Sequence, residues 1–143
     1  MTIEELFDEW ERDSKIDKSE LGEESIKIPL LVAKYGAELT RSKFRIAKLY
    51  GDLKIMKREK GEFYFNPTKE HRDRGWVSPP QGRLIKTDLR EYVDSDKDVI
   101  DIELKIGALN AKIDALNIIL KELHSRGFNI KNCIEDRKFL NGG

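Results

Sequence analysis

The chain of 143 residues has few cysteines, prolines and aromatic residues, and these shortages exclude several classes of protein. Its single cysteine, Cys133, excludes an internal disulfide and gives no support to a metal cluster, which fits a reducing compartment. No apolar run approaches the ~18 residues of a membrane span, and the acidic start is unlike a signal peptide. We therefore expect a cytosolic protein that contacts no membrane and needs no metal or other cofactor.

Sequence patterns that carry catalysis are missing as well. The chain has no GxxxxGK[ST] phosphate loop, no HExxH and no GxSxG. His71 and His124 are isolated in the sequence, and each is expected at the surface or at a helix end rather than as a ligand. Pairs of carboxylates carry no information, because 27 acidic residues in one short chain produce them by chance. We therefore expect no catalytic residue and no enzymatic activity.

Charged residues make up 38% of the chain and aromatic residues 8%, which is typical of long helices rather than of a compact sheet protein. The net charge is zero, but the charges are segregated. Residues 1–25 hold ten acidic against three basic residues, residues 26–90 hold sixteen basic against seven acidic, and residues 91–143 hold eight against ten. A basic middle between acidic ends predicts an anionic partner. The alternative is that these basic side chains only cover a solvated helix surface.

Apolar spacing in the first half of the chain predicts two amphipathic helices. The first has apolar residues at i, i+3, i+4 and i+7: Ile3, Leu6, Phe7 and Trp10. The second, capped by Asp17 or Ser19, follows a heptad rhythm, and we expect Pro29 in its first turn or at a kink. Its apolar positions are Ile28, Val32, Tyr35, Leu39, Ile46, Leu49, Leu53 and Met56.

The middle of the chain reads as an irregular arm. Residues 66–82 contain three of the four prolines together with Gly75 and Gly82, so a regular element is not expected there. We expect Trp76 to anchor this arm onto the body of the protein. Residues 83–93 are ambiguous between a short strand and an extended chain.

The longest predicted helix runs from about residue 96 to residue 126, roughly 45 Å at 1.5 Å per residue. Ser95 is the expected N-cap. Gly127 is expected to end the helix in the left-handed conformation, with Phe128 folding back on Leu123. The remaining residues are expected to form one short helix capped by Asn129.

Two apolar stripes follow this helix, and together they predict neighbours on both of its sides. We therefore expect a ring-like homo-oligomer assembled through the first stripe, whereas the alternative is that the chain's own second helix buries both. The first stripe is Val99, Ile102, Ile106, Leu109, Ile113, Leu116, Leu120 and Leu123. The second stripe is Ile100, Leu104, Ala108, Ala111, Ala115 and Ile118.

The sequence LKIMKREKGEFYF (residues 53–65) concentrates basic residues and follows them with aromatic ones. Because Lys57 and Lys60 follow where the apolar stripe ends, we expect this end of the helix to project beyond its packing partner. Lysine and arginine neutralise phosphates, and aromatic rings stack on unpaired bases. The predicted binding residues are Lys54, Lys57, Arg58, Lys60, Phe63 and Tyr64. Arg72, Arg74, Arg83 and Lys86 extend this track.

A single copy of such a segment would bind weakly, and a ring of copies would multiply weak sites along one strand. The residues therefore favour an oligomer that wraps or lines single-stranded nucleic acid. Two alternatives stay open, namely an oligomeric helical scaffold that binds only proteins and a non-specific RNA-binding protein.

Five segments resemble the UvsY-type recombination mediator proteins of tailed bacteriophages, and the resemblance covers nearly the whole chain. The segments are EELFDEWERDSKID (residues 4–17), KIPLLVAKY (27–35), PPQGR (79–83), DSDKDVI (94–100) and SRGFNIKN (125–132). The last two, at this spacing around a helix, are the most specific.

The resemblance implies a mainly α protein that helps to load the phage recombinase onto single-stranded DNA coated by single-strand-binding protein. The implied setting is homologous recombination, recombination-dependent replication and repair, in the cytoplasm of the infected bacterial host. It also implies a ring-shaped hexamer or heptamer assembled largely through the C-terminal helices. The family's DNA-binding motif falls on residues 57–64, with Arg58 and Lys60 at its two basic positions and with Glu59 and Gly61 as departures.

On this interpretation the chain is one recombination-mediator domain. Residues 1–65 are the N-terminal helices with the DNA-binding segment, residues 66–94 are the arm, and residues 95–143 are the oligomerisation helices.

Overall fold

A computed structural model describes residues 1–80 and 84–142, and within those residues it contains five helices and no strand. The mainly α fold is therefore confirmed. The helices are α1 (Ile3–Asp13), α2 (Leu21–Phe65), α3 (Lys69–Asp73), α4 (Lys86–Asp94) and α5 (Lys97–Leu140). No helix in the described residues combines the length and apolar composition needed to cross a membrane.

The chain divides into two compact units, and α2 and α5 each contribute to both. Unit 1 comprises Met1–Phe44 and Leu109–Gly143, and unit 2 comprises Arg45–Ala108. Within unit 1, α2 and α5 pack antiparallel, since Glu38 pairs with Lys112 while Gly127 lies beside Ile28. The core of unit 1 joins α1 to both long helices through Leu6, Tyr35, Leu116, Ile119 and Leu123.

Helix α1 forms as predicted and packs onto its own unit. Thr2 and Glu5 make a capping box, in which each side chain accepts a hydrogen bond from the other residue's backbone N–H. Leu6 is fully buried, and the ring of Trp10 meets that of Tyr35 edge-on at 5.6 Å. Phe7, which the pattern assigned to the apolar stripe, is instead mostly exposed.

Two acidic residues of α1 serve to hold it against α2. The ammonium of Lys34 pairs with the carboxylates of Glu9 and Asp13, and the Tyr35 hydroxyl donates to Asp13 at 2.7 Å. Burial raises the pKa of Asp13, but the hydrogen bonds from Lys34 and Tyr35 outweigh it and hold that pKa below its ordinary value. Part of the acidic charge at this end of the chain is therefore structural.

A buried ion pair between α2 and α5, which the sequence pattern did not reveal, lies in the same unit. Lys112 and Glu38 are both almost fully buried and form a salt bridge, and Arg41 donates to the same carboxylate at 2.8 Å. Burial raises the pKa of Glu38, but the hydrogen bonds from Lys112 and Arg41 outweigh it and bring the pKa to about 2.

Helix α5 is longer than predicted, because it continues through Gly127 to Leu140 and includes the expected short final helix. Its 44 residues span about 66 Å. A glycine inside a helix destabilises it by about 1 kcal/mol. Continuing the helix buries Ile130, which stabilises the fold by about 2 kcal/mol. The predicted contact of Phe128 with Leu123 is wrong, since Phe128 is exposed and meets the ring of His124.

The arm is more regular than expected. Thr68 caps the short helix α3, and residues 86–94 form α4 rather than a strand or extended chain. On α4 Val93 is buried and Leu89 is half-buried, so a helix places the apolar side of this segment inward. Arg83, Gln81 and Gly82 lie outside the described residues.

Two details of the helix termini also differ from expectation. Asp96 rather than Ser95 caps α5, because its carboxylate accepts from the backbone N–H groups of Asp98 and Val99. Ser95 instead ends α4, where its hydroxyl donates to the carbonyl of Glu91 at 2.7 Å. Pro29 lies inside α2 and supplies no N–H to the helix, so its expected place in the first turn is wrong, whereas a kink at Pro29 stays a prediction.

Glu38 predicts a pH dependence of stability. Because its pKa falls from 4.5 to about 2 on folding, it contributes about 3 kcal/mol above pH 4.5, and this is lost as pH falls toward 2. We expect Glu38→Gln to lower the free energy of unfolding at near-neutral pH, and the difference from wild type to vanish over that window. Urea unfolding across the window measures it.

The matched control is Glu122→Gln, which removes an exposed carboxylate from the same unit. It should leave the pH profile unchanged. A difference between Glu38→Gln and wild type that stays constant down to the lowest pH would contradict the assignment.

Candidate nucleic-acid interface

Residues 53–65 form the last turns of α2 and belong to unit 2. The helix continues through Gly61, so neither departure from the family motif interrupts it. Lys54 and Arg58 are exposed one turn apart, and the structure pairs neither of them with a carboxylate among the residues that it describes. These two cations are therefore available to an anionic ligand.

Lys57 lies beside this pair but is partly neutralised. Its ammonium is 3.7 Å from the carboxylate of Asp94 and 3.7 Å from that of Glu103. All three side chains are about half exposed, and both distances are long for a salt bridge. Such pairs contribute little free energy and are readily exchanged.

Lys60 is in a different environment, with 4% of its surface exposed. Its ammonium is 2.9 Å from Asp98 and 3.3 Å from Asp96, and it lies over the ring of Trp76 at 3.8 Å. The expectation that this end of α2 projects beyond its packing partner is wrong, because the arm and the start of α5 surround it.

The aromatic residues after Lys60 form a stacked cluster. Phe63 is 2% exposed, and its ring stacks on those of Tyr64, His71 and Trp76 at 4.9, 5.4 and 5.5 Å. The Tyr64 hydroxyl donates to Asp96 at 2.7 Å, and burial together with this carboxylate raises the pKa of Tyr64. The prediction that Trp76 anchors the arm is confirmed.

The six predicted DNA-binding residues thus divide into two groups. Lys54, Lys57 and Arg58 present surface to solvent, whereas Lys60 and Phe63 have almost none, and Tyr64 is half-buried. Contact of each with nucleic acid stays a prediction. In this conformation the second group holds unit 2 together.

Two exposed aromatic residues near the accessible cations were missed by the sequence interpretation. Tyr50 precedes Lys54 by one turn and is 46% exposed, and Phe65 follows Arg58 by two turns and is 53% exposed. The spacing of i, i+4 and i+8 for Tyr50, Lys54 and Arg58 was the signal that could have revealed this row.

The residues expected to extend the basic track have separate environments. The guanidinium of Arg74 lies 3.4 Å from Glu59, Arg72 and Lys86 are exposed, and Arg83 lies outside the described residues. Among those residues no group of three or more histidine, cysteine or acidic side chains is placed to hold a metal ion.

The first apolar stripe of α5, predicted as the contact between subunits, packs inside the subunit. Four of its members are buried, namely Val99, Ile106, Leu116 and Leu123. The other four are half-buried, namely Ile102, Leu109, Ile113 and Leu120. The interface assignment stays a prediction, but the buried members have little surface to offer a second copy.

Other apolar positions remain exposed in each unit. In unit 2 these include Ile100 and Leu104, and in unit 1 they include Ile118, all from the second stripe of α5. A further exposed stripe on α2 in unit 1, missed by the sequence interpretation, comprises Ile26, Leu30, Ala33, Ala37 and Phe44.

The burial of Lys60 predicts a structural role that separates it from Lys54. Lys60→Ala leaves the buried carboxylate of Asp96 without its cation, and we expect a loss of about 3 kcal/mol in the free energy of unfolding. Lys54→Ala, the exposed control, should change it by less than about 0.5 kcal/mol. Equal effects of the two substitutions in urea unfolding would refute the structural role.

Comparisons with known proteins agree with this fold. A family profile described as "Recombination, repair and ssDNA binding protein UvsY" matches residues 9–143. Among curated protein sequences none matches the chain.

Crystal structures of the bacteriophage T4 recombination mediator protein UvsY have the same fold. The lattice type II structure has a TM-score of 0.81 at 22% identity, covering 100% of this chain and 99% of that one. The lattice type IV structure has a TM-score of 0.79 at 22% identity, covering 97% and 98%. Because the family profile spans nearly the whole sequence, the chain belongs to the UvsY family of recombination, repair and single-stranded-DNA-binding proteins.

Proposed function

We propose that this protein is a recombination mediator that binds single-stranded DNA through the exposed row Tyr50, Lys54, Arg58 and Phe65, with Lys57 beside it. The observation that carries the proposal is the pair of unneutralised cations, Lys54 and Arg58, between two exposed aromatic rings. The cations neutralise phosphates, and the rings stack on unpaired bases regardless of sequence.

The contact of one subunit is small, so tight binding requires several subunits on one strand. We propose a ring-shaped homo-oligomer, a hexamer or heptamer, which raises the effective concentration of each further site once the first is engaged. The exposed apolar stripes of α2 and α5 support this assembly, because the subunit leaves a large part of their apolar surface exposed.

The bound strand is held in a form from which single-strand-binding protein is more easily displaced. The phage recombinase then nucleates on the strand, in homologous recombination, recombination-dependent replication and repair in the cytoplasm of the infected host. The exposed acidic side of α1, which includes Glu4, Asp8 and Glu11, is a docking surface of suitable charge for a basic protein such as the recombinase.

The binding proposal is tested by Lys54→Ala combined with Arg58→Ala. We expect weaker binding to a labelled oligo(dT) and a slope of log affinity against log salt reduced by about 1.4 per subunit, because two phosphate contacts are lost. The mass of the assembly should not change. A fluorescence anisotropy titration at several salt concentrations measures both quantities.

The matched control is Lys105→Ala with Lys121→Ala, which removes the same charge from exposed positions on α5. It should weaken binding less. Equal loss in both variants would exclude a specific site at Lys54 and Arg58. Absence of wild-type binding would favour a scaffold that binds only proteins, and preference for an RNA competitor would favour the RNA-binding alternative.

The assembly proposal is tested by Phe44→Glu and by Ile118→Glu. Both side chains are exposed in the subunit, so each substitution should leave helix content unchanged while reducing the mass of the assembly in multi-angle light scattering. Phe139→Glu, an exposed position outside both stripes, is the control. Unchanged mass for both test variants would exclude these stripes as the interface.

A further inference from the structure

We propose that Asp94 and Glu103 act as an internal substitute for DNA phosphates, occupying Lys57 and thereby weakening the protein's hold on a single strand. This inference rests on the proposed function, because it concerns the same face of α2. Asp94 and Glu103, two acidic residues outside the basic segment, would then help to set the strength of binding.

The ammonium of Lys57 lies between two acidic side chains. Two carboxylates approach its ammonium from separate elements, Asp94 from the end of α4 and Glu103 from α5, each at 3.7 Å. Each carboxylate carries the single negative charge of one DNA phosphate, so the two together can occupy the ammonium in place of the strand. Because the groups are about half exposed, water and an incoming anion can reach them.

Lys60, three residues later, has a contrasting environment. Lys60 also has two carboxylates, but its contacts are shorter, its ammonium and Asp96 are buried, and the Trp76 ring covers it. Removing that cation would leave a buried negative charge, so exchange with DNA is unfavourable there. At Lys57 the same exchange leaves two solvated carboxylates, which costs little.

Lys57 lies beside the exposed row. It follows Lys54 by three residues and Arg58 follows Lys54 by four, so Lys54 is a neighbour of both other cations on the helix surface. A phosphate bound to Lys54 and Arg58 is then near Lys57 but also near the carboxylates that hold it. Those carboxylates weaken binding by competing for the ammonium and by repelling the phosphate.

A limited affinity suits the proposed function. A protein that delivers a strand to a recombinase has to release that strand, and an internal competitor favours release without removing any phosphate contact. The carboxylates of Asp94 and Glu103 also offset the loss of the contact between Lys57 and a phosphate when the strand leaves, since the ammonium then pairs with them again.

The test is Asp94→Asn combined with Glu103→Gln, with binding to oligo(dT) measured over a range of salt concentrations. We expect binding at least about threefold tighter than wild type, because weak exposed ion pairs no longer compete. We also expect a steeper salt dependence, since Lys57 then neutralises a phosphate fully.

The charge-matched control is Glu91→Gln combined with Asp101→Asn. Both residues are exposed in the same unit, and the structure shows no ion pair for either among the residues it describes. This variant carries the same net charge as the test variant. The inference requires the test variant to bind more tightly than this control, and equal affinities would overturn it.

Lys57→Met in both backgrounds completes a double-mutant cycle. The substitution should weaken binding more when Asp94 and Glu103 are neutralised than in the wild type. An equal loss in the two backgrounds would overturn the inference, because the carboxylates would then act independently of Lys57.

Failure of the inference is distinguishable from failure of the proposed function. If Lys54→Ala with Arg58→Ala weakens binding while the test variant matches its control, only the inference fails. If wild type does not bind the oligonucleotide, both fail. Should the double variant lose helix content, Glu103→Gln alone must still bind more tightly than Asp101→Asn, and equality there overturns the inference.

Discussion

The buried ammonium of Lys60 is the contact on which unit 2 depends. It joins three parts of the chain that are distant in sequence, because it lies near the end of α2, over Trp76 of the arm, and against Asp96 and Asp98 at the start of α5. Asp96 also caps α5 and accepts from Tyr64, so one carboxylate fixes a helix terminus, an aromatic ring and a cation. Loss of any one of these groups leaves the others incompletely paired at a site where Lys60 and Asp96 are almost fully buried.

Burial of charge at this site determines which basic residues remain available for binding. Burying an ammonium is unfavourable unless anions compensate it, and once compensated it is costly to withdraw. Lys60 is therefore committed to structure, while Lys54 and Arg58 keep their charge at the surface. Within two turns of one helix, a basic run thus contains both a buried cation that holds the structure together and exposed cations that are available to a ligand.

The sequence predicted the long helices because apolar spacing of three and four residues records which face is buried, and Tyr35, Val99 and Leu116 are indeed buried. It could not predict the fate of Lys60, since the partners Asp96 and Asp98 lie more than thirty positions away and appear in sequence only as a helix start. The same limit applies to Gly127. Its local preference favours a helix end, but the burial of Ile130 in the following turn favours continuation.

The two apolar stripes of α5 have the same periodicity, and only tertiary contacts determine which positions are buried. Both repeat at the same spacing, yet Leu116 and Leu123 are buried in the subunit, whereas Leu104 and Ile118 remain exposed. Exposed stripes on a helix that is already packed on its other side are unfavourable in water unless another surface covers them. A second copy, as proposed above, would cover them without a further component, and several copies would also bring several of the proposed binding rows of α2 onto one strand. Assembly would then depend on the exposed apolar surface of α2 and α5. Strand binding would depend on the unneutralised charge of α2.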